Sequence, residues 1–145
     1  MAARENKAIA CRIFEEVINT GDLSLADQFI AQDMVSHNNP PDAPSGIEGF
    51  NHFVTTFRAA FPDLTFTIED MIAERDKVVA RVSLRGTHKG EFMGVPATGR
   101  SVEMDSIDIM RFADGKLVEH WGQGDVVGLM QQLGAVVPPT AQTVR

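Results

Sequence analysis

The sequence predicts an α+β fold: three N-terminal helices over the concave face of a cone-shaped, curved antiparallel sheet of four or more strands, with a short C-terminal helix. Three observations predict it. Apolar residues recur at helical spacing as far as residue 61 and at alternate positions beyond it. The alternating runs follow one another with turn signals and no helix between them, which is the pattern of an antiparallel meander. The runs also read longer than the usual five or six residues, and long strands coil, leaving a hollow beneath covering helices.

The first helix spans roughly residues 4–20, with Ile9, Ile13 and Val17 on one side and Phe14 and Ile18 one position over. Gly21 follows, where a helix C-cap favours a left-handed residue. Leu23, Leu25, Phe29 and Ile30 predict a short second helix. His37-Asn38-Asn39-Pro40-Pro41-Asp42-Ala43-Pro44-Ser45-Gly46 is too rich in Pro and Asn for regular structure. Phe50, Phe53, Val54, Phe57 and Phe61 then give the cleanest helical period in the chain, which Pro62 stops. Such an aromatic stripe packs into the core, and a helix that roofs a pocket shares its lining with that core.

Past residue 63 the period is two. Leu64, Phe66 and Ile68 alternate with Thr65 and Thr67, and Val78, Ala80, Val82 and Leu84 with Val79, Arg81 and Ser83. In the third strand Ser106, Asp108 and Met110 share one face and Ile107, Ile109 and Arg111 the other. The fourth runs from Lys116 to about Gly124, with Val118, His120 and Gly122 on one face and Glu119 and Trp121 on the opposite one, where an oligomer contact is expected. Turns fall at Arg75-Asp76, between Gly90 and Gly99, and at Ala113 to Lys116. A final helix covers Val126 to Leu133, capped by Asp125 and ended by Gly134. No repeat or boundary divides the chain, so one domain over residues 1–145 is expected, with 135–145 as a flexible tail.

The 145 residues are 43% hydrophobic and 23% charged, the balance of a globular chain with a proper core. A net charge of -7 without a basic cluster excludes nucleic acid and anionic membrane surfaces as partners. Cys11 stands alone and forms no internal disulfide. The polar start lacks a signal-peptide core, and no run of eighteen apolar residues spans a bilayer, so a cytoplasmic protein is expected.

The chain lacks a phosphate-cradling glycine loop and a nucleophile elbow, because Gly90, Gly94 and Gly99 are wrongly spaced and no Gly-x-Ser-x-Gly occurs. His37, His52, His88 and His120 lie in separate segments without zinc-site spacing, so no metal is expected. Cys11 reads as a small core residue. The positive signal is Asp108 and His120, on one face of strands joined by a tight turn, where cross-strand Cβ atoms lie about 5 Å apart. A carboxylate beside an imidazole in an apolar hollow can share a proton near neutral pH and act as general acid and base. Asp108 is read as the base that removes a proton next to a carbonyl, and His120 as the group that orients it or returns the proton.

His37-Asn38-x-Pro40, Gly46-x-Glu48-Gly49, Gly86-Thr-His88-x-Gly90-Glu-Phe92-Met-Gly94-Val-Pro96-Ala-Thr98-Gly99, Arg111-Phe-Ala-Asp114-Gly115-Lys116, Glu119-His120-Trp121 and Leu129-Met-Gln-Gln132-Leu133-Gly134 resemble the SnoaL-like polyketide cyclases, of the nuclear transport factor 2-like superfamily. The resemblance covers nearly the whole chain in order. It implies a cone-shaped α+β fold, no cofactor or metal, homodimers or homotetramers packed through the sheet, and intramolecular aldol ring closure of an aromatic polyketide ester. In those enzymes the last strand reads Glu-His-Trp-Asp, the Asp being catalytic; here Gly122 stands in its place, and a glycine takes no proton. Either the base lies across the ladder at Asp108, or the chemistry has changed or been lost. His37 and Asn38 are expected to cap the pocket, with His88 at its rim. Phe53, Phe57, Phe92, Ser106, Met110 and Gly122 are expected to line it around a small apolar or aromatic ligand. A related isomerisation fits the same pair, whereas epoxide hydrolysis on the same fold would want an Arg where Ser106 stands. A binding module without catalysis and a protein-interaction adaptor are the alternatives from other classes.

Overall fold

The computed structural model describes residues 2–135, so the expected tail lies outside the described residues except for Ala135. Helix α1 (Ala2–Arg12) runs without a break into a π-helical segment, Ile13–Ile18. There the Asn19 amide reaches back five residues to the Phe14 carbonyl at 2.9 Å. Ile13, Phe14, Val17 and Ile18 of this segment are all buried against the core. Gly21, at φ 76°, takes the left-handed conformation that ends the segment. A 3₁₀ turn (Leu23–Leu25), whose cap Asp22 accepts from the Ser24 amide, leads into α2 (Ala26–Phe29).

The chain then departs from the expected helix end and loop. Ile30–Ser36 is a strand, β1, and it pairs in parallel with the last strand of the sheet. The sequence hid it because a register shift between Ile30 and Val35 breaks the alternation. Ile30 and Met34, its buried residues, stand four apart, which reads as helical spacing. Helix α3 (Gly46–Ala60) follows, and its last bond runs from the Phe61 amide to the Phe57 carbonyl at 2.8 Å before Pro62.

The meander is β2 (Thr65–Glu74), β3 (Lys77–Thr87), β4 (Ser101–Ala113) and β5 (Lys116–Gly124), in a five-stranded sheet of order β1-β5-β4-β3-β2. The sheet is therefore mixed: the four long strands are antiparallel, and β1 adds one parallel edge. A register shift beside Arg111 makes Val118 a bulge, so Leu117, not Val118, shares the inner face with His120. Val78, Ala80, Val82 and Leu84 of β3 point inward against Phe61, Leu64 and the helices, all nearly fully buried. Each such aliphatic or aromatic side chain contributes roughly 1.5–3 kcal/mol when removed from water. Asp125 caps α4 (Val126–Gln132) through the Gly128 amide. The Gln132 side chain then gives both halves of its amide to Glu103, covering the part of β4 that β5 does not reach.

Candidate active site

The π segment, α3 and the inner faces of β4 and β5 enclose a cavity of about 460 Å³, within the rough 300–1,000 Å³ range of small-molecule sites. Its wall is mostly apolar, with Phe14, Phe50, Phe53, Phe57, Phe66, Phe92, Met104 and Met110 among the lining. Phe57 sits 4.7 Å from Phe53 and 5.2 Å edge-on from Phe92, ring centroid to ring centroid. The helical stripe thus serves core and cavity together. Phe50 and Phe61 are buried, while Phe53 and Phe57 remain partly open to the hollow.

A polar patch on β4 and β5 interrupts this wall. His120 Nε2 lies 2.8 Å from Asp108 Oδ1, and the Ser106 hydroxyl donates to Asp108 Oδ2 at 3.1 Å. Alternation along β4 brings Ser106 and Asp108 to the same face, and the antiparallel register sets Met110 opposite His120 and Asp108 opposite Gly122. His120 is therefore diagonal to Asp108, a separation that an imidazole spans and a shorter side chain would not. Ser36 of β1 stands beside His120 on the other side.

Gly122 supplies the room for this arrangement. A Cβ at position 122 would come within 2.6 Å of Asp108 Oδ1 and 3.1 Å of the His120 ring. The carboxylate thus occupies the volume that a side chain on β5 would fill. Asn38 pins the same point from outside: its amide accepts from the Gly122 N–H and donates to the Gly122 carbonyl, in the manner of a neighbouring strand. Asn38 lines the cavity, but both ends of its amide are engaged by backbone.

Two other histidines lie away from the place expected for them. His37 does not cap the pocket. Its ring stacks on Trp121 at 4.9 Å, and its Nε2 lies 2.7 Å from Glu119, both on the outer face of the sheet. With Asn38 turned to the cavity side of β5, the preceding residue faces the opposite way. Glu119 also accepts from Arg111 Nε at 2.9 Å, and the hydrogen bonds from His37 and Arg111 hold its carboxyl below the ordinary range. His88 is at neither the rim nor the surface. It is wholly buried, stacked obliquely on Phe61, with Nδ1 accepting from the Thr98 amide. There it closes the base of the loop between β3 and β4, whose Gly99 and Arg100 bond to the His88 backbone.

The sequence also left unassigned several lining groups: His52 and Thr56 on α3, Met34 and Ser36 on β1, Gln123 on β5 and Met93 in the loop. His52 and Thr56 fall one helical turn apart beside Phe53 and Phe57, a spacing that the aromatic period already contained. A second, more open depression of about 720 Å³ lies between Asp63, Arg85, Glu103 and Gln132. Its charged side chains are engaged within the protein. Arg85 lies 3.4 Å from Glu103, and Asp63 accepts from the Thr87 hydroxyl and amide, which lower its carboxyl pKa. Among the described residues no group of three or more His, Cys, Asp or Glu side chains is placed to hold a metal ion. Nor, among those residues, is any helix long and apolar enough to cross a membrane.

The arrangement is a mostly apolar chamber with a carboxylate–imidazole pair in its wall. A model of the SnoaL-like polyketide cyclase family matches residues 8–133. The chain belongs to this family. Among its relatives, the aklanonic acid methyl ester cyclase DauD of Streptomyces sp. (strain C5) is 32% identical over 126 residues, covering 85% of this chain and 78% of DauD. The nogalonic acid methyl ester cyclase of Streptomyces nogalater is 33% identical over 121 residues, covering 80% and 88%. TsrD from Streptomyces laurentii has a similar solved structure, with a TM-score of 0.84, 31% identity and coverage of 92% and 97%. The solved structure of IdmH from Streptomyces antibioticus is also similar, with a TM-score of 0.78, 38% identity and coverage of 90% and 99%. The five-stranded mixed sheet is the form the fold takes here.

Proposed function

We propose that this SnoaL-like protein is a cyclase that needs no cofactor and closes a ring in an aromatic polyketide ester by intramolecular aldol condensation, with Asp108 and His120 moving the proton. The observation that carries this reading is the 2.8 Å pair set in a mostly apolar cavity. An aldol closure needs one group that takes a proton from carbon next to a carbonyl and later gives a proton to the new alkoxide. It also needs a chamber that holds the reacting ends together and keeps water out. Phe53, Phe57 and Phe92 offer flat apolar surfaces to an aromatic ligand.

Aklanonic and nogalonic acid methyl esters, taken from the relatives' names, are the test substrates. Conversion followed by chromatography is expected for the wild-type protein. Asp108→Asn and His120→Gln are each expected to fall by about 10²- to 10⁴-fold, the usual contribution of acid–base catalysis. Full activity in both variants would remove these residues from the reaction.

The same reading extends to assembly in the cytoplasm as a homodimer through the sheet. Ile72, Val79, Ile109 and Trp121 are partners in one row across the outer faces of β2, β3, β4 and β5. Ile72 is 65% exposed and Ile109 36%, and a row of apolar residues at the surface favours a covering partner. Sedimentation is expected to give a dimer for the wild type and a monomer for Ile109→Glu. A monomeric wild type would contradict this assembly.

A further inference from the structure

We infer that the two groups of the dyad divide the work unequally: His120, through Nδ1, is the catalytic residue that meets the substrate, and Asp108 is a positioning residue behind it. The inference rests on the acid/base reading of the site and reverses the order in which the sequence ranked the two groups.

Three observations carry it. Both oxygens of Asp108 are engaged, Oδ1 with His120 Nε2 at 2.8 Å and Oδ2 with the Ser106 hydroxyl at 3.1 Å. Asp108 is also the deeper of the two, its side chain 14% exposed against 25% for His120. Finally, His120 Nδ1 has no hydrogen-bond partner among the described residues, and it is not one of the sealed polar atoms of the interior. Nδ1 is therefore accessible, on a ring that lines the hollow.

The chemistry follows from which atom can donate. An ionised carboxylate only accepts, so the 2.8 Å bond requires the proton on Nε2, and a neutral imidazole with Nε2–H leaves a bare lone pair on Nδ1. That lone pair takes the proton from the carbon beside the substrate carbonyl. The C–H bond breaks, its electron pair stays on the substrate as an enolate, and the ring becomes an imidazolium. The charge of Asp108 stabilises that imidazolium at hydrogen-bond distance. The enolate carbon then bonds to the second carbonyl carbon, and the resulting alkoxide takes the proton back from Nδ1. The protein ends as it began.

Two measurements test this. In protein labelled with ¹⁵N-histidine, long-range proton–nitrogen correlation spectra of the neutral His120 ring are expected to show Nε2 protonated and Nδ1 bare. A proton on Nδ1 would overturn the inference. In the second, the pH profile of kcat/KM is recorded with aklanonic acid methyl ester as the probe. Asp108→Asn is expected to lose about 10²- to 10⁴-fold in kcat while keeping an acid limb, because the base is still present. His120→Gln is expected to fall at least as far, and with no limb. The opposite result, background in Asp108→Asn and a residual limb in His120→Gln, would make Asp108 the base. Failure of the wild type to turn over this ester or the nogalonic one, with the tautomer as expected, would count against the cyclase reading and not against the orientation of the dyad.

Discussion

Gly122 is a residue whose missing side chain shapes the site. The carboxylate of Asp108 stands where a Cβ at position 122 would be, across a direct strand pairing. Gly122→Ala is therefore expected to push the carboxylate off His120, cutting activity about 100-fold, with an overpacking cost of about 1–3 kcal/mol. Chemical denaturation and turnover measure the two effects separately. The reciprocal exchange, Asp108→Gly with Gly122→Asp, delivers a carboxylate to the same volume from the other strand. It is expected to exceed both single variants in activity, and a double variant no better than the singles would contradict the shared-volume account. Alternation along β4 and β5 was enough to bring positions 108 and 120 to one face. The void opposite Asp108 was not legible, because strand register decides which residue a glycine faces. His37 and His88 were misplaced for a related reason: both lie in irregular segments, where no period tells which way a side chain turns.

At the level of elements, β1 and α4 are each fastened to the sheet by a side-chain amide that copies a strand. Asn38 does this at Gly122 and Gln132 at Glu103. Asn38→Ala is expected to cost about 1–2 kcal/mol for the two lost bonds and to speed hydrogen exchange at the Gly122 amide. Unchanged exchange there would show that the strand ends hold without it. The same junction carries a pH dependence. Glu119 has its carboxyl lowered in the folded protein, first by His37 and then by Arg111. A lowered folded-state value means the group stabilises above the ordinary carboxylate range and loses that contribution as pH falls through it. The Tm difference between wild type and Glu119→Gln is expected to shrink toward zero on acidification, and a constant difference would contradict it. The long meander and the aromatic helix were readable because each keeps one period throughout. Strand β1 was not, since its two buried residues stand four apart, a spacing that a helix shares, and its register shifts between Ile30 and Val35.

For the whole molecule, the core and the cavity are one continuous apolar body, divided only by what the helices leave unfilled. Phe57 belongs to both, touching Phe53, Phe61 and Phe92 while lining the hollow. Phe57→Ala is expected to destabilise by about 3 kcal/mol, at the low end for a core aromatic, and to raise KM more than it lowers kcat. An equal loss in kcat would mean that the ring takes part beyond binding. The α+β class and its order of elements were legible because they follow from pattern and sequence order alone. Depth of cavity was not, since it depends on how far the π segment and α3 stand off the sheet, which no sequence period records.

The claim beneath all three scales is that the polar patch in this apolar chamber removes a proton from carbon. Mass-spectrometric uptake of deuterium from D₂O into bound aklanonic acid methyl ester tests it most directly, because exchange registers proton removal even where the ring does not close. The account predicts uptake at the carbon beside the reacting carbonyl with the wild-type protein and only solvent background with His120→Gln. Equal uptake in the two proteins would contradict it.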